Sequence, residues 1–437
     1  MAAITPFKTP AETALGQAFE AVKTSLPGDV SAREEAFRLF AETGLPHRRI
    51  EDFKYTDLRA ALREAAPFAV RPSAAEAQAA LWETGAFKGL DAVELAIVNG
   101  HFVREVSGLD RLPAGVEVTP LAEALASGHP LLDRIGPVAW ARANPVYQLN
   151  SAFMGDGAIV RVSGEVETPL HLRFVTAGDA PVATATRVLV VVEEGARVTL
   201  LESHESASAA GHQPNDVVEI VAGDHSVVNH VRLNAEGRAT LALSTLAARL
   251  GAHVALNTFN GVVGSAVARH QVYVAFAGEH STLRVNGATM LTGSQHADTT
   301  LVVDHAVPHG ESRELFKTVL DGDATGVFQG KIIVQPIAQK TDGRMMSAAL
   351  LLSDGGTMNN KPELEIFADD VQCAHGATAG QLDEDLLFYL RSRGLPQPEA
   401  ESLLVQAFLG EALEAVEHEG AREALVGMVE AWLRARD

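Results

Sequence analysis

The stretch RVLVVVEEGARVTLLES, residues 187–203, contains two runs of β-branched and aliphatic residues separated by Glu-Glu-Gly. Short runs rich in Val, Ile and Thr that are bounded by a glycine turn are typical of β-strands. Similar runs begin near residue 93 and recur along the middle of the chain, among them VELAIVNG, HSVVNHVRLN, RHQVYVAFAG and DTTLVVDH. Apolar residues at helical spacing are rare there. We therefore expect about 270 residues of nearly continuous β-structure.

The length of this β-region bears on its architecture. About 270 residues is long for one β-sandwich, and a repeated stack of short strands, a β-helix or solenoid, fits the length better. No fixed repeat period is visible, so the pattern alone leaves the architecture open. The strands are expected to be separated by Asn-Gly and Asp-Gly turns, which begin at Asn99, Asp156, Asn260, Asn286, Asp321 and Asp354.

Both flanks of the β-region have helical patterns. Before it, Ser31 and Glu34 have the spacing of a capping box at a helix start. After it, Asp383 is a suitable N-cap and Gly394 a suitable stop for a short helix. The last helix is predicted from an apolar stripe at i, i+3, i+4, i+7 and i+8, formed by Leu425, Met428, Val429, Trp432 and Leu433. These patterns predict an N-terminal helical region 1–88, a β-core 89–380 and a C-terminal helical bundle 381–437.

The charge and the cysteine content exclude several classes of partner. The formal net charge is −21, whereas nucleic-acid backbones are bound by clustered Lys and Arg. An acidic surface also repels anionic membranes, and no stretch approaches the roughly 18 apolar residues of a spanning helix. No secretory signal is visible, and one cysteine suits a reducing compartment. We therefore expect a cytoplasmic protein without nucleic-acid or membrane partners.

The single cysteine stands in DDVQCAHGATAG, residues 369–380, two positions before a histidine. In an extended strand, Cys373 and His375 would face the same side, about 6.5 Å apart along the chain. A thiolate and an imidazole are both metal ligands, but iron–sulfur clusters are usually held by about four donors. The spacing alone leaves two interpretations open: half of a site completed by another subunit, or a buried cysteine beside a hydrogen-bonded histidine.

A second candidate site lies in HADTTLVVDHAVPHG, residues 296–310. A metal-dependent hydrolase would combine two or three histidines with a carboxylate, here His296, Asp298 and His305. Because these residues lie at both ends of an apolar strand, we expect them to project at its edges rather than converge. The hydrolase is kept as the alternative function. The chain lacks the G-x-S-x-G, GxxxxGK[ST] and HExxH motifs.

Three stretches resemble the SufB/SufD family of iron–sulfur cluster assembly proteins. The most specific is residues 327–394, which include AQKTD, KPELEIFADDVQCAHGATAG and LFYLRSRG. GLPHRRIEDFKYTDLR, residues 44–59, and NPVYQLNSAF, residues 144–153, resemble motifs of the same family. The motif CAHGAT, in a chain with one cysteine, is similar to the corresponding motif of the SufD branch. Sequences of the SufB branch have more cysteines and an EHEAT-like motif. The position that is acidic in that motif is occupied by Gly376 in this chain.

The resemblance implies a mainly β protein with α ends, in which a right-handed parallel β-helix core is flanked by N-terminal and C-terminal helical regions. It implies a non-catalytic scaffold subunit of a SufBCD-type complex that assembles and transfers iron–sulfur clusters, with a part in iron supply. The implied partners are a SufB-like paralogue and a SufC-like ABC-type ATPase, with a homodimer when the chain is alone. No cofactor is expected to bind the isolated chain tightly. Iron or an iron–sulfur cluster is expected transiently at the subunit interface, and a flavin in the complex.

The resemblance also assigns residues. His375 and Cys373 match the family's candidate metal or cluster ligands, shared with the partner. The segment that follows them is expected to face the ATPase through Leu386, Leu387, Phe388, Tyr389, Leu390, Arg391 and Arg393. The alternative for each of these residues is that it packs only within the C-terminal bundle.

Overall fold

The computed structural model describes residues 8–436, so seven residues of the predicted region 1–88 and one of the region 381–437 lie outside the described residues. The strands, in chain order, are β1 Val93–Val98, β2 His101–Phe102, β3 Val116–Pro120, β4 Asp156–Val162, β5 Leu170–Thr176, β6 Ala183–Val192, β7 Arg197–Ser206, β8 Gln213–Ala222, β9 Val227–Ala235, β10 Leu241–Leu250, β11 Ala255–Val262, β12 Val267–Phe276, β13 Thr282–Leu291, β14 His296–His305, β15 Glu311–Leu320, β16 Thr325–Val334, β17 Asp342–Leu351, β18 Thr357–Ile366 and β19 Gln372–Gly380. The α-helices are α1 Pro10–Val22, α2 Val30–Thr43, α3 Leu58–Ala61, α4 Ala74–Glu83, α5 Leu121–Ser127, α6 Ala139–Arg142, α7 Pro145–Phe153, α8 Glu384–Ser392, α9 Gln397–Leu413 and α10 Glu419–Arg434.

From β4 onward the chain alternates between two sheets. The first sheet takes the even-numbered strands from β4 to β18, and the second takes the odd-numbered strands from β5 to β19. Strands two apart in the chain pair in parallel, so each consecutive pair, from β4–β5 to β18–β19, completes one of eight turns. The inward side chains of both sheets form an apolar core that includes Val190, Leu200 and Val285. The predicted parallel β-helix with helical ends is confirmed.

The turns of this solenoid differ in length. Leu241 of β10 pairs with Val267 of β12, which is 26 positions later. Thr325 of β16 pairs with Thr357 of β18, which is 32 positions later. Because the corners vary while the strands stay in register, equivalent residues align in space without a fixed sequence period. This variation explains why the sequence has no visible repeat.

The two ends of the solenoid differ. At the N-terminal end, the edge strands run antiparallel to their neighbours, β2 to β1 and β3 to β4. At the C-terminal end, β18 pairs with β16 alone and β19 with β17 alone among residues 8–436. The outer edges of β18 and β19 therefore present backbone N–H and C=O groups that another strand can pair with. We call this end the open end.

Helices α1, α2 and α7 cover part of the outer face of the first sheet. A buried ion pair on the same face fixes the stretch 44–59. The guanidinium of Arg269 on β12 pairs with Asp298 on β14, and both side chains are fully buried. Arg269 also donates to the carbonyl oxygen of Asp52 at 2.7 Å and lies 3.9 Å from the ring centre of Phe53. The hydroxyl of Thr56 donates to Asp298. The stretch is therefore held to two neighbouring strands at once.

The stretch 144–153 comprises the N-cap Asn144 and the whole of α7, and it is held in a similar way. The amide nitrogen of Asn150 donates to the carbonyl oxygens of Thr186 and Asn215, at 2.9 and 2.7 Å, which belong to neighbouring strands. Its amide oxygen accepts from Arg187 at 2.8 Å. The Arg187 guanidinium in turn lies 4.3 Å from the ring centre of Tyr147. This helix is thus hydrogen-bonded directly to the solenoid wall.

The C-terminal helices cover the outer face of the second sheet. Val405, Leu409 and Leu425 of α9 and α10 pack with Phe259 and Met290 of that sheet. The apolar stripe predicted for the last helix is confirmed, with four residues buried and Met428 partly buried at its edge. Within residues 8–436, no helix is both long enough and apolar enough to span a bilayer.

Several local expectations were wrong. Helix α2 begins at Val30, and its cap is Asp29, whose carboxylate accepts from the Ser31 N–H at 2.8 Å. The predicted Ser31–Glu34 capping box does not form because Asp29 already caps the helix, and Glu34 pairs with Lys23 instead, at 2.9 Å. The predicted β-region is also interrupted by the helices α5, α6 and α7. The proposed region boundaries stay a prediction.

Replacing Asp298 by Ala leaves the buried guanidinium of Arg269 without its carboxylate partner. Breaking a buried ion pair in this way costs about 3–5 kcal/mol, so the urea midpoint of unfolding should fall sharply. The matched control is Asp304→Ala on the same strand, a half-buried residue whose carboxylate accepts from Trp140 and Gln335. Equal losses of stability in the two variants would contradict the anchoring role of the ion pair.

Candidate functional site

The open end brings Cys373 and His375 to one face of the last turn. In the register of β19, Cys373 continues the column of Gly343 and Ser312, and His375 continues the column of Met345 and Glu314. Met345 belongs to the solenoid core, so both columns point inward. In β19, Cys373 and Gly376 are half-buried, whereas His375 and the remaining residues are exposed. The predicted pair thus lies on the inner face of the last turn, at the mouth of the solenoid.

Cys373 is half-buried and packs against the core, and its thiol is not acidic. Burial raises the pKa of the Cys373 thiol, a hydrogen bond from the Gly343 backbone opposes this, and the carboxyl groups of Asp342 and Glu314 raise the pKa further. The thiol is therefore neutral near pH 7 and is a weak nucleophile by itself. A cation at the mouth would reverse this balance, because it stabilises the thiolate.

Glu314 is a further candidate site residue, which the sequence patterns did not indicate. It lies in the inward column two turns below His375, is 2% exposed, and neither carboxylate oxygen has a hydrogen-bond partner in the described structure. Burial raises the pKa of Glu314 to about 8. A buried acid without partners is costly for stability, and such groups concentrate at functional sites. Its only sequence signal is a glutamate at an inward strand position, which cannot be recognised before the register is known.

The Cys373–His375 pair is not a complete metal site within this chain. In residues 8–436, neither residue belongs to a group of three or more His, Cys, Asp or Glu side chains whose ligand atoms lie within 4.8 Å of one another. The pair supplies two donors on the last turn, beside the unpaired edges of the open end.

Gly376 follows the pair and faces the opposite side of β19. A Cβ atom at Gly376 would lie 2.8 Å from the sulfur of Met346, closer than ordinary van der Waals contact. An acidic side chain at this position would therefore require Met346 to move. The glycine of the CAHGAT motif fits the packing found here.

The residues of the alternative hydrolase do not converge. His296 and His305 stand at opposite ends of the ten-residue strand β14, roughly 30 Å apart at about 3.3 Å per residue. His296 is bound to Thr56 at 2.9 Å, and Asp298 is held in the ion pair with Arg269. His305 points into the core, where its ring lies 4.3 Å from that of Phe276. The structure gives no support for a hydrolase site in this segment.

The segment expected to face the ATPase is helix α8, which has no buried residue. Asp383 caps it as predicted, since its carboxylate accepts from the N–H groups of Asp385 and Leu386. Phe388, Tyr389 and Leu386 are 74%, 53% and 51% exposed. Leu386 and Tyr389, three positions apart, share one side of the helix, and Phe388 projects from another. Large exposed apolar side chains are typical of protein–protein contact surfaces. We call the apolar residues Leu386, Leu387, Phe388, Tyr389 and Leu390 the α8 surface.

A separate group of charges is enclosed in the middle turns of the solenoid. The Glu202 carboxylate accepts from His204 at 2.6 Å, His230 at 2.9 Å and Arg232 at 3.0 Å, and all four side chains are buried. Burial alone would raise the pKa of Glu202, but the hydrogen bonds from His204 and His230 outweigh it and hold the pKa well below its usual range. These groups satisfy one another and have no solvent access, so their role is structural.

Comparison with known proteins agrees with the sequence motifs. The family model described as "SUF system FeS cluster assembly, SufBD core domain" matches residues 174–408, and "SufBD protein N-terminal region" matches residues 22–172. A SufBD family protein of Synechocystis is 33% identical over 402 residues, which cover 89% of this chain and 87% of that protein. The iron–sulfur cluster assembly protein SufD of Escherichia coli is 30% identical over 392 residues, which cover 89% of each chain. SufD of Bacillus subtilis is 26% identical over 306 residues, which cover 64% of this chain and 65% of that protein.

Glu314 should make the stability of the fold depend on pH. Because burial raises its pKa from 4.5 to about 8, the folded state holds a proton that the unfolded chain releases. The contribution of Glu314 to the free energy of unfolding is fully present below pH 4.5 and is lost as the pH rises through about 8. The free energy of unfolding then falls by at most about 1.4 kcal/mol per pH unit. Glu314→Gln cannot ionise, so its thermal midpoint should fall less than that of the wild type between pH 5 and pH 9.

The matched control is Glu311→Gln, an exposed residue at the start of the same strand. It should reproduce the wild-type pH dependence. If Glu314→Gln also reproduced the wild-type dependence, the carboxyl would be hydrated and ionised in the folded protein, contrary to its burial.

Proposed function

Because the chain belongs to the SufBD family of iron–sulfur cluster assembly proteins, we propose that it is a SufD-type, non-catalytic scaffold subunit of a SufBCD-type complex in the cytoplasm. The observation that carries this proposal is the open end, where unpaired strand edges surround Cys373 and His375. In this view the chain contributes a surface and two donor atoms, and the rest of the assembly site comes from a partner.

The partner proposed for the open end is a SufB-like paralogue, or a second copy when the chain is alone. A protein of the same fold can add its own strands to β18 and β19 by backbone hydrogen bonding. Exposed apolar residues support a contact here, since Ile366 at the end of β18 is 42% exposed and the adjacent Phe367 is 60% exposed. The addition would cover these side chains and enclose the mouth.

The cargo proposed for the mouth is iron or a nascent iron–sulfur cluster, bound transiently. Such clusters are usually held by about four donors, of which His375 and Cys373 would supply up to two and the paralogue the others. The neutral Cys373 thiol would release its proton when the positive cargo arrives, and the buried acid of Glu314 below it would respond in the same direction. A role in iron supply and the binding of a flavin by the complex stay predictions.

The α8 surface is proposed to bind a SufC-like ABC-type ATPase. A helix with exposed apolar side chains can dock into a complementary groove of a partner, and Arg391 and Arg393 add positive charge at the C-terminal end of α8. Because α8 follows β19 after three residues, movement of an ATPase bound there would act directly on the strand that holds Cys373 and His375.

An anaerobic pull-down of the tagged chain from its own cytosol tests the partners. We expect an ABC-type ATPase and a cysteine-richer paralogue in near-stoichiometric amounts, identified by mass spectrometry. Phe388→Asp should lose the ATPase and keep the paralogue. Ala377→Arg, at an exposed inward position of β19, should lose the paralogue and keep the ATPase.

The control for both variants is Val70→Asp, which charges an 82% exposed apolar residue away from the two surfaces. It should retain both partners. Recovery of the wild-type chain alone, or loss of both partners in the Val70 variant, would contradict the proposal.

His375→Ala should abolish or strongly reduce the iron and sulfide content of the complex purified without oxygen. Because His375 is exposed, its loss should change stability by no more than about 0.5 kcal/mol, so the melting temperature should hardly move. The control is Gln372→Ala, an exposed neighbour on the same strand. A large loss of stability in the His375 variant would make the residue structural and reject its role as a ligand.

A further inference from the structure

One corner of the solenoid repeats a left-handed backbone conformation from turn to turn. Each of these corner residues has a positive φ between 57° and 69°. Most of their backbone N–H groups donate to a carbonyl of the next turn at 2.6–3.0 Å, which fixes their vertical spacing. The corner residues are Gly195, His225, His253, His280, His309 and Lys340.

Four consecutive corner positions are histidines, which we call the histidine ladder. Neighbouring rings are stacked, with centroids 4.7 Å apart for His225 and His253, 5.2 Å for His253 and His280, and 4.5 Å for His280 and His309. All four side chains are exposed. Glycine is the usual residue for this backbone conformation, and it occupies the corner at Gly195. The imidazoles are therefore not needed to make the turn.

The C-terminal part of the histidine ladder contains the one group of three closely spaced metal-ligand side chains in residues 8–436. One ligand atom from each of Glu279, His280 and His309 lies within 4.8 Å of the others, and this is the one such group of three within residues 8–436. The nearer nitrogen of His280 is 3.9 Å from a carboxylate oxygen of Glu279. Small rotations of these exposed side chains would bring all three atoms to bonding distance of one ion.

We propose that the histidine ladder binds a divalent first-row transition-metal ion through Glu279, His280 and His309. Two imidazoles and one carboxylate form a donor set suited to Zn²⁺, Ni²⁺, Co²⁺ or Fe²⁺, and unsuited to Mg²⁺ or Ca²⁺, which prefer oxygen donors. The next corner residue, Lys340, does not oppose the ion, because its ammonium group is paired with Asp370.

The proposed ion would connect two successive turns of the solenoid. Glu279 and His280 lie between β12 and β13, whereas His309 lies between β14 and β15. An ion that binds the folded chain more tightly than the unfolded chain raises the unfolding temperature. The site is distant in sequence from Cys373 and His375 and does not depend on the function proposed for them.

The test is a titration of tag-free chain, stripped of metal with a chelator, with Co²⁺ alone. We expect one ion per chain and a higher thermal midpoint. Either His280→Asn or His309→Asn should weaken binding at least about tenfold. Asparagine is the appropriate replacement because it tolerates the left-handed conformation.

Two controls separate this site from others. His225→Asn changes a ladder residue outside the group of three and should bind Co²⁺ as the wild type does. The double variant Cys373→Ser, His375→Ala removes the pair at the open end and should also keep the binding. Binding that survives His280→Asn and His309→Asn, or that disappears in the Cys373–His375 variant, would overturn the proposal.

Discussion

The hydrogen-bonded ladder between successive turns is the constraint on which the rest of this structure depends. A single turn cannot bury its inward face, so each turn is stable only with neighbours above and below it. The outer faces of the two sheets must be covered as well. Helices α1, α2 and α7 pack on the first sheet, and α4, α9 and α10 pack on the second. Polar anchors such as Arg269–Asp298 hold the N-terminal segment to the sheet it covers.

The class of fold could be predicted from the sequence, but its geometry could not. β-branched runs and a β-region too long for one sandwich indicated a solenoid. Its repeat stayed hidden because neighbouring turns span from 26 to 32 positions. Three expected turns were wrong, since Asp156, Asn260 and Asn286 lie in strands. In the pair Asn286–Gly287, the glycine is required because a Cβ at Gly287 would lie 2.6 Å from the ring of Phe316. That close contact joins adjacent turns and is invisible in a local pattern.

The candidate site, too, could be predicted only in part from the sequence. Cys373 and His375 stand out in sequence because they are two apart in a distinctive motif. Glu314 lies about 60 positions before His375 and reaches the same column only through the register of β15, β17 and β19. The histidine ladder was missed for the same reason, since its members are separated by the unequal lengths of the turns. Residues brought together by stacking leave no local signal, whereas residues on one strand do.

The difference between the two ends of the solenoid limits the size of any assembly built from it. A rod that could pair at both ends would polymerise head to tail into a filament. Here β2 and β3 run against their neighbours at one end, so that end offers no parallel edge for elongation. Pairing of the open end with one other rod, as proposed, would leave an antiparallel edge strand at each far end. A few residues at the end opposite the proposed contact would therefore limit the length of the assembly.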